Sequence, residues 1–142
     1  MTRALRILVI ASVAAGALAP AAHAYPTHVS VSLTRLPGNT CCAKFTRAQV
    51  SARGVLTTSV AQRGGTWHRV ARRKLRRAEL ARLRSALRSF DPSTLHGNQA
   101  ACGGPPIGDV GGYELRVGTH ESNCPPAAAD RLIGILKRWL PR

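Results

Sequence analysis

The first half of the chain alternates apolar and polar residues with a period of two, which predicts half-buried β-strands. The alternation starts in HVSVSLTR (28–35) and returns in FTRAQVSA (45–52), VLTTSVA (55–61) and TWHRVA (66–71). Turn residues such as Arg53-Gly54 separate these segments. We therefore expect three or four short strands that form an antiparallel meander.

The second half changes to a helical period. In RRAELARLRSALRSF (76–90), leucines recur at steps of three and four residues, which predicts an amphipathic helix. The residue before proline is driven out of helical geometry, so Asp91-Pro92 ends this helix. A loop rich in glycine and proline (96–112) leads to a short strand, YELRV (113–117), and a second amphipathic helix in PPAAADRLIGILKRWL (125–140). The fold class expected is α+β, with a small antiparallel sheet of four or five strands and two amphipathic helices on one face.

The amino terminus predicts export. Residues 1–24, MTRALRILVIASVAAGALAPAAHA, combine two arginines, an apolar run and a small-x-small end, which is typical of a cleaved signal peptide. The apolar run is shorter than the roughly 20 residues of a spanning helix. No second long apolar run follows, so the mature chain has no expected transmembrane segment. Residues 25–142 are then one secreted, extracytoplasmic domain, which we expect to be monomeric.

The four cysteines change the picture of how this domain is stabilised. Cys41, Cys42, Cys102 and Cys124 all follow the predicted cleavage point, and an oxidising compartment favours disulfides. Neighbouring side chains of an extended segment point to opposite faces. We therefore expect Cys41 and Cys42 to bridge to Cys102 and Cys124, in either order. The remaining option is a Cys102–Cys124 bond that leaves the adjacent pair to each other, which would be strained.

Candidate catalytic chemistry is sparse. The mature chain has six carboxylates and four histidines, and no spacing among them indicates paired acid–base catalysis or a metal site. The serines show no nucleophile elbow, and the glycine-rich loop contains prolines that remove the donors of a phosphate cradle. We therefore expect a protein that is not an enzyme, with no cofactor and no metal.

Charge gives the one positive signal. The whole chain has a formal net charge of +15 at pH 7, and HRVARRKLRR (68–77) holds a dense basic run. Arginine binds phosphate, sulfate and carboxylate through two parallel hydrogen bonds. Aromatic residues make up 4% of the chain and no nucleic-acid motif occurs, so specific nucleic-acid binding is not expected. The candidate polyanion-binding residues are Arg69, Arg72, Arg73, Lys74, Arg76, Arg77, Arg84 and Arg88.

The order of segments supports a second function. LRRAELARLRSAL (75–87), then GDVGGYELRV (108–117), then ADRLIGILKRWL (129–140) resembles the emfourin-type small bacterial inhibitors of metalloproteases. The cysteines and the signal peptide depart from that family. The resemblance implies a non-catalytic binding module that engages or inhibits a protein partner, in this case an extracellular one, through loops 36–42 and 103–112. The alternative from the charge pattern is a basic envelope-associated protein that binds anionic polymers.

Overall fold

A computed structural model describes residues 28–38, 44–96 and 111–142 of the chain. These residues form one six-stranded antiparallel sheet and two α-helices, with the strands in the order β4-β3-β2-β1-β5-β6. The strands are β1 Val31–Leu36, β2 Lys44–Val50, β3 Val55–Gln62, β4 His68–Lys74, β5 Gly112–Val117 and β6 His120–Ser122. The helices are α1 Arg77–Arg88 and α2 Asp130–Lys137.

Strand register explains why one face of the sheet is apolar. Val31 of β1 lies opposite Val50 of β2 and Val117 of β5, and Leu33 lies opposite Leu115. Residues that face each other across an antiparallel pair share a face of the sheet. These five side chains are almost completely buried. The alternating pattern of the sequence therefore selects the face that packs against the helices.

The core joins that face to both helices. Leu83 and Leu87 of α1 and Leu132 and Leu136 of α2 belong to the same buried cluster as the apolar sheet residues. Phe90, just beyond the end of α1, is also buried there. The antiparallel sheet, the two helices on one face and the α+β class agree with the prediction.

The number of strands does not agree: the described residues form six strands, not four or five. The strand that sequence analysis missed is β6, whose three residues, HES, are too short and too polar to show alternation. It pairs with β5 through a two-residue turn in which Gly118 has a φ of 61°. In addition, β4 runs on to Lys74, past the predicted end of this strand at residue 71, so the strand contains more of the basic run than predicted.

Several predicted features fall on other parts of the chain. The signal peptide at residues 1–24 and Cys41, Cys42 and Cys102 lie outside the described residues. Among the residues described, neither helix is long and apolar enough to cross a membrane.

Candidate functional site

The strand β4 lies at one edge of the sheet and carries the densest positive charge of the described chain. All seven of its residues are exposed, and β3 is its neighbour on one side only. An edge strand presents backbone N–H and C=O groups that can pair with another extended chain. We call the exposed basic residues of this strand and of the start of α1 the basic edge: Arg69, Arg72, Arg73, Lys74, Arg76 and Arg77.

Register divides these side chains between the two faces of the sheet. Lys74 lies opposite Val55, Arg72 opposite Thr57 and Arg69 opposite Ser59. Val55, Thr57 and Ser59 alternate with the core residues of β3, so the three basic residues lie on the outer face, opposite the helices. The register shifts between Thr58 and Ser59, where β4 contains one extra residue. This bulge keeps Arg69 and Arg72 on the same face although their spacing in the sequence is three residues.

Arg73 occupies the other face and is already engaged. Its guanidinium makes two hydrogen bonds of 2.8 Å to the carboxylate of Glu79 in α1. The backbone N–H of Arg76 donates to the same carboxylate at 2.8 Å. These bonds, that of Arg73 first, lower the pKa of Glu79 from 4.5 to about 2. Arg73 therefore fixes the end of β4 to the first turn of α1.

Arg76 and Arg77 lie where the fold does not favour a positive charge. Arg76 is the N-cap residue of α1 and Arg77 is its first residue. The amino end of a helix carries a partial positive charge, so cations there are unfavourable. Glu79 in the first turn offsets part of this cost. Because stability of the helix gives no reason for two exposed arginines at this end, their contribution is to the charge of the surface.

The other two predicted residues are not part of the basic edge. Arg84 is half-buried in α1, and its Nε atom has no hydrogen-bond partner among the described residues. Arg88 is exposed in the last turn of the same helix. The helical period places Arg84 and Arg88 on the same side of α1 as Arg77, but they lie further along the helix and so further from β4. The predicted set of eight is thus a compact group of six with two residues apart from it.

A cation–π contact lies on the outer face of the sheet. The guanidinium of Arg47 in β2 lies 3.9 Å from the ring centroid of Trp67, which immediately precedes β4. The Nε atom of Arg47 donates to Oγ1 of Thr34 in β1 at 3.1 Å. Burial lowers the pKa of Arg47, and the charge of Glu114 acts in the opposite direction. The three strands β1, β2 and β4 are thereby connected across the outer face.

Near the turn between β2 and β3, the outer face has a shallow depression of about 380 Å³ that includes one residue of the basic edge. Arg72 and Arg53 lie at its border, and Val55 and Thr57 are among its lining residues. Arg53 belongs to the turn between β2 and β3, so the positive charge of the edge continues onto the outer face.

The predicted loops leave the sheet side by side. Leu36 at the end of β1 lies opposite Gly112 at the start of β5. A Cβ atom at Gly111 would lie 2.9 Å from the carbonyl oxygen of Leu36 and 3.0 Å from the backbone nitrogen of Gly38. Loops 36–42 and 103–112 therefore share a root, although residues 39–43 and 97–110 are outside the described part of the chain.

Cys124 lies at this same end of the sheet. It follows β6, which runs back toward the start of β5, and its N–H donates to Oγ of Ser122 at 3.1 Å. The three other cysteines are not among the described residues. The ends of β1 and β6 and the starts of β2 and β5 all lie at this end of the sheet.

Groups that could hold a metal ion do not occur in the described ranges 28–38, 44–96 and 111–142: no three His, Cys, Asp or Glu side chains cluster there. Of the carboxylates in these ranges, Glu79 and Glu121 are ion-paired with arginines. Asp91 is the N-cap residue of a short 3₁₀ helix, and its carboxylate accepts hydrogen bonds from the backbone N–H and the hydroxyl group of Ser93.

A second basic feature was missed by sequence analysis. A groove runs between α1 and α2, and its residues come from both helices. Arg131 and Arg138 are seven residues apart, or about two turns, which places them on one face of α2 and is the only signal in the sequence. The interhelical groove is lined by Arg82, Arg131, Gly134, Ile135, Arg138 and Trp139, together with Glu79 and Asp130.

Comparisons with protein-family models, with curated proteins and with solved structures found no match for this chain. The resemblance to emfourin-type inhibitors stays a prediction.

Proposed function

We propose that the protein is a secreted, non-catalytic binding module that engages an acidic protein partner through the basic edge. The observation that carries this proposal is that all seven residues of the edge strand β4 are exposed, with four basic residues among them. An extended acidic segment of the partner adds to β4 as a further strand. Backbone hydrogen bonds supply affinity, and arginine–carboxylate pairs supply selectivity.

The charge of the edge also selects against the wrong partners. Two copies of β4 would place like charges opposite each other, which is unfavourable in an antiparallel pair. Self-association through this edge is therefore suppressed, and a monomer is expected. A neutral strand from another protein would pair without compensating the positive charge. An acidic strand relieves that repulsion, so it is the partner that the edge fits.

An extended acidic peptide that alternates Glu with Val and Thr is the direct test. We expect it to bind, and a copy with N-methylated amides on alternate residues to bind weakly because it cannot donate to the edge. Replacing Arg69, Arg72 and Lys74 with Gln should weaken binding by about tenfold or more, since each exposed ion pair contributes up to about 1 kcal/mol. The matched control replaces Arg82, Arg131 and Arg138 with Gln, which removes the same charge elsewhere. Equal binding by both peptides would rule out strand addition.

A protease partner would instead bind at the other predicted surface, loops 36–42 and 103–112, as the resemblance to emfourin-type inhibitors implies. In that case the protein inhibits secreted metalloproteases of its own organism, and protease activity falls in proportion to the amount of this protein added. The roots of loops 36–42 and 103–112 lie together, which supports a single contact surface at that end of the sheet. A broad panel of secreted proteases that keeps full activity at micromolar protein would end the inhibitor version.

The second candidate function is retention on anionic polymers of the cell envelope. It is favoured by the position of Arg69, Arg72 and Lys74 on one face of the sheet. A polymer of phosphate or sulfate groups can bind such a row of cationic side chains without backbone hydrogen bonds to β4. Charge reversal at Arg72, Arg73 and Arg77 should move elution from a polyanion column to lower salt. Elution that is unchanged by these substitutions excludes the basic edge as the polymer site.

Export and disulfide bracing belong to the same proposal. The signal peptide predicts an oxidising compartment, and the position of Cys124 at the loop end of the sheet supports covalent bracing there. Two bridges between the adjacent pair Cys41–Cys42 and the later cysteines would hold the two loops together. The bracing would also support a core that uses leucine and valine and few aromatic residues.

A further inference from the structure

The interhelical groove combines a basic rim with an apolar floor. Arg82 comes from α1, Arg131 comes from α2, and Arg138 is the C-cap residue of α2. Ile135 and Trp139 line the space between them and are only partly buried. Two adjoining depressions, of about 150 and 410 Å³, share Arg82, Ile135 and Arg138, so they form one continuous groove.

The three arginines of the rim carry charge that the described chain does not neutralise. None of their guanidinium groups makes an ion pair or a hydrogen bond within the described ranges. Two carboxylates also line the groove. Both oxygens of Glu79 accept from Arg73 outside it, which leaves Asp130 as the one uncommitted anion among the described lining residues. The groove therefore has an excess of positive charge.

Gly134 lines the groove and adds no side chain to it. It lies within α2, where glycine is less favourable than alanine by roughly 1 kcal/mol, and its φ is not in the left-handed region. A Cβ atom at this position would meet no atom within 4 Å. Neither backbone conformation nor close packing requires glycine here. The consequence of its missing side chain is free space between the arginines.

We propose that this groove binds the headgroup of an anionic phospholipid and docks the protein on a membrane surface. The guanidinium groups suit the phosphate, because each can donate two parallel hydrogen bonds to its oxygens. The indole of Trp139 and the side chain of Ile135 suit the apolar portion next to the headgroup, since tryptophan favours the boundary between polar and apolar regions of a bilayer. A free phosphate would use the rim alone. The combination of rim and floor thus points to an amphiphilic anion, and it goes beyond the protein-binding role of the basic edge.

Vesicle sedimentation tests this proposal with the full mature protein. We expect binding to vesicles that contain phosphatidylglycerol and little binding to vesicles of phosphatidylcholine alone. Replacing Arg82, Arg131 and Arg138 with Gln should weaken binding by about fivefold for each arginine removed. The matched control, with Gln at Arg69, Arg72 and Lys74, loses the same charge from the basic edge and should bind nearly as well as the unmodified protein. If both triple variants lose the same amount of vesicle binding, net charge alone draws the protein to the vesicles. The proposal that the groove is the lipid site is then wrong.

A charge-neutral variant separates the groove from its arginines. Gly134→Leu fills the space without changing any charge, and it should reduce binding while circular dichroism shows an intact fold. Gly134→Ala, a smaller change in the same direction, should keep more of the binding. Unchanged binding by Gly134→Leu overturns the proposal. Glycerol phosphate should compete only weakly because it lacks the acyl chains. If glycerol phosphate competes as strongly as the lipid does, the ligand of the groove is a free phosphate ester and the membrane proposal is wrong.

Discussion

The guanidinium of Arg47 lies 3.9 Å from the centroid of the Trp67 ring, and this contact determines how the basic edge is held. Arg47 is in β2, Trp67 precedes β4, and β3 lies between them in the sheet. The indole therefore reaches across β3 on the outer face. On the same face, Ala61 of β3 is 5% exposed and Thr34 of β1 is 2% exposed, although α1 and α2 pack on the opposite face. The contact gives the edge strand a second attachment besides its pairing with β3.

We expect Trp67→Leu to lower the free energy of unfolding by about 1–3 kcal/mol, because it removes buried aromatic area and a cation–π contact. Trp67→Phe keeps a ring over the guanidinium and should lose about half as much. Urea unfolding measures both.

The double-mutant cycle with Arg47→Met is the control for this contact. A coupling free energy of about 0.5–1 kcal/mol between the two positions is expected for a partly exposed cation–π pair. If the two single effects add without coupling, Trp67 stabilises β4 through its own burial and Arg47 has no part in it.

The ion pair between Arg73 and Glu79 should make stability depend on pH in the acid range. The pKa of Glu79 is lowered from 4.5 to about 2 in the folded protein. A carboxyl group with a lowered pKa stabilises the fold fully above its unfolded pKa, and this contribution is lost as the pH falls from about 4.5 toward 2. Because the pair is largely exposed to solvent, we expect the loss to be about 1 kcal/mol.

Urea unfolding at neutral pH and near pH 2 measures this effect. Arg73→Gln should remove most of the pH-dependent part, since its hydrogen bonds are the largest cause of the shift. Arg69→Gln is the matched control, because it removes the same charge from the same strand on the opposite face. A pH dependence in Arg73→Gln that equals that of the unmodified protein would mean that other carboxylates are responsible.

Much of the fold follows from local sequence signals, and the exceptions have physical causes. Alternation in β1 and β2 marked Val31, Leu33 and Val50 as the buried face, because a period of two fixes which side chains point inward. The helical period marked Leu83 and Leu87 in the same way. The burial of these residues can be predicted from the sequence of their own segment alone.

The candidate sites depend on contacts that no single segment encodes. The extra residue in β4 is visible only against the register of β3, and it decides that Arg69 and Arg72 share a face. Arg84 is polar, but its place beside two core leucines half-buries it. The interhelical groove needs the packing of α1 against α2, which pattern alone does not give. Sequence therefore predicted the core better than the surface.

The cysteines lead to a prediction about the exported protein. Protein harvested from the culture medium should show no reactive thiol before reduction, and four thiols after reduction in denaturant, one for each cysteine. Reduction should destabilise the fold by roughly 2–4 kcal/mol for each bridge lost. Thiol titration with and without reductant measures the first part, and urea unfolding measures the second.

Full-length protein produced in the cytosol and kept under reducing conditions serves as the reference for a chain without bridges. Four reactive thiols in the medium sample before reduction would contradict the disulfide proposal. Retention of the uncleaved chain in the cytosol of its own organism would contradict export as well.

Two glycines with the same backbone conformation provide a final, sharper comparison. Gly111 has a φ of 74° and Gly64 a φ of 71°, so a side chain at either position pays the strain of the left-handed region, roughly 1–2 kcal/mol. Around Gly64 a new Cβ atom would meet nothing within 4 Å. At Gly111 it would lie 2.9 Å from the carbonyl oxygen of Leu36, which is closer than a Cβ atom can approach without movement.

Gly64→Ala should therefore cost about 1–2 kcal/mol of unfolding free energy, and Gly111→Ala more than about 3 kcal/mol. The difference arises because the carbonyl of Leu36 and the nitrogen of Gly38 are backbone atoms of the neighbouring strand end and cannot rotate away. Relief of the clash requires the roots of the two loops to separate, so Gly111→Ala should also reduce binding of any partner that contacts both loops. Urea unfolding of the two variants in parallel tests the ranking. Equal destabilisation would show that the loop roots are free to move apart, and that a shared contact surface at this end of the sheet is not held in place by their close packing.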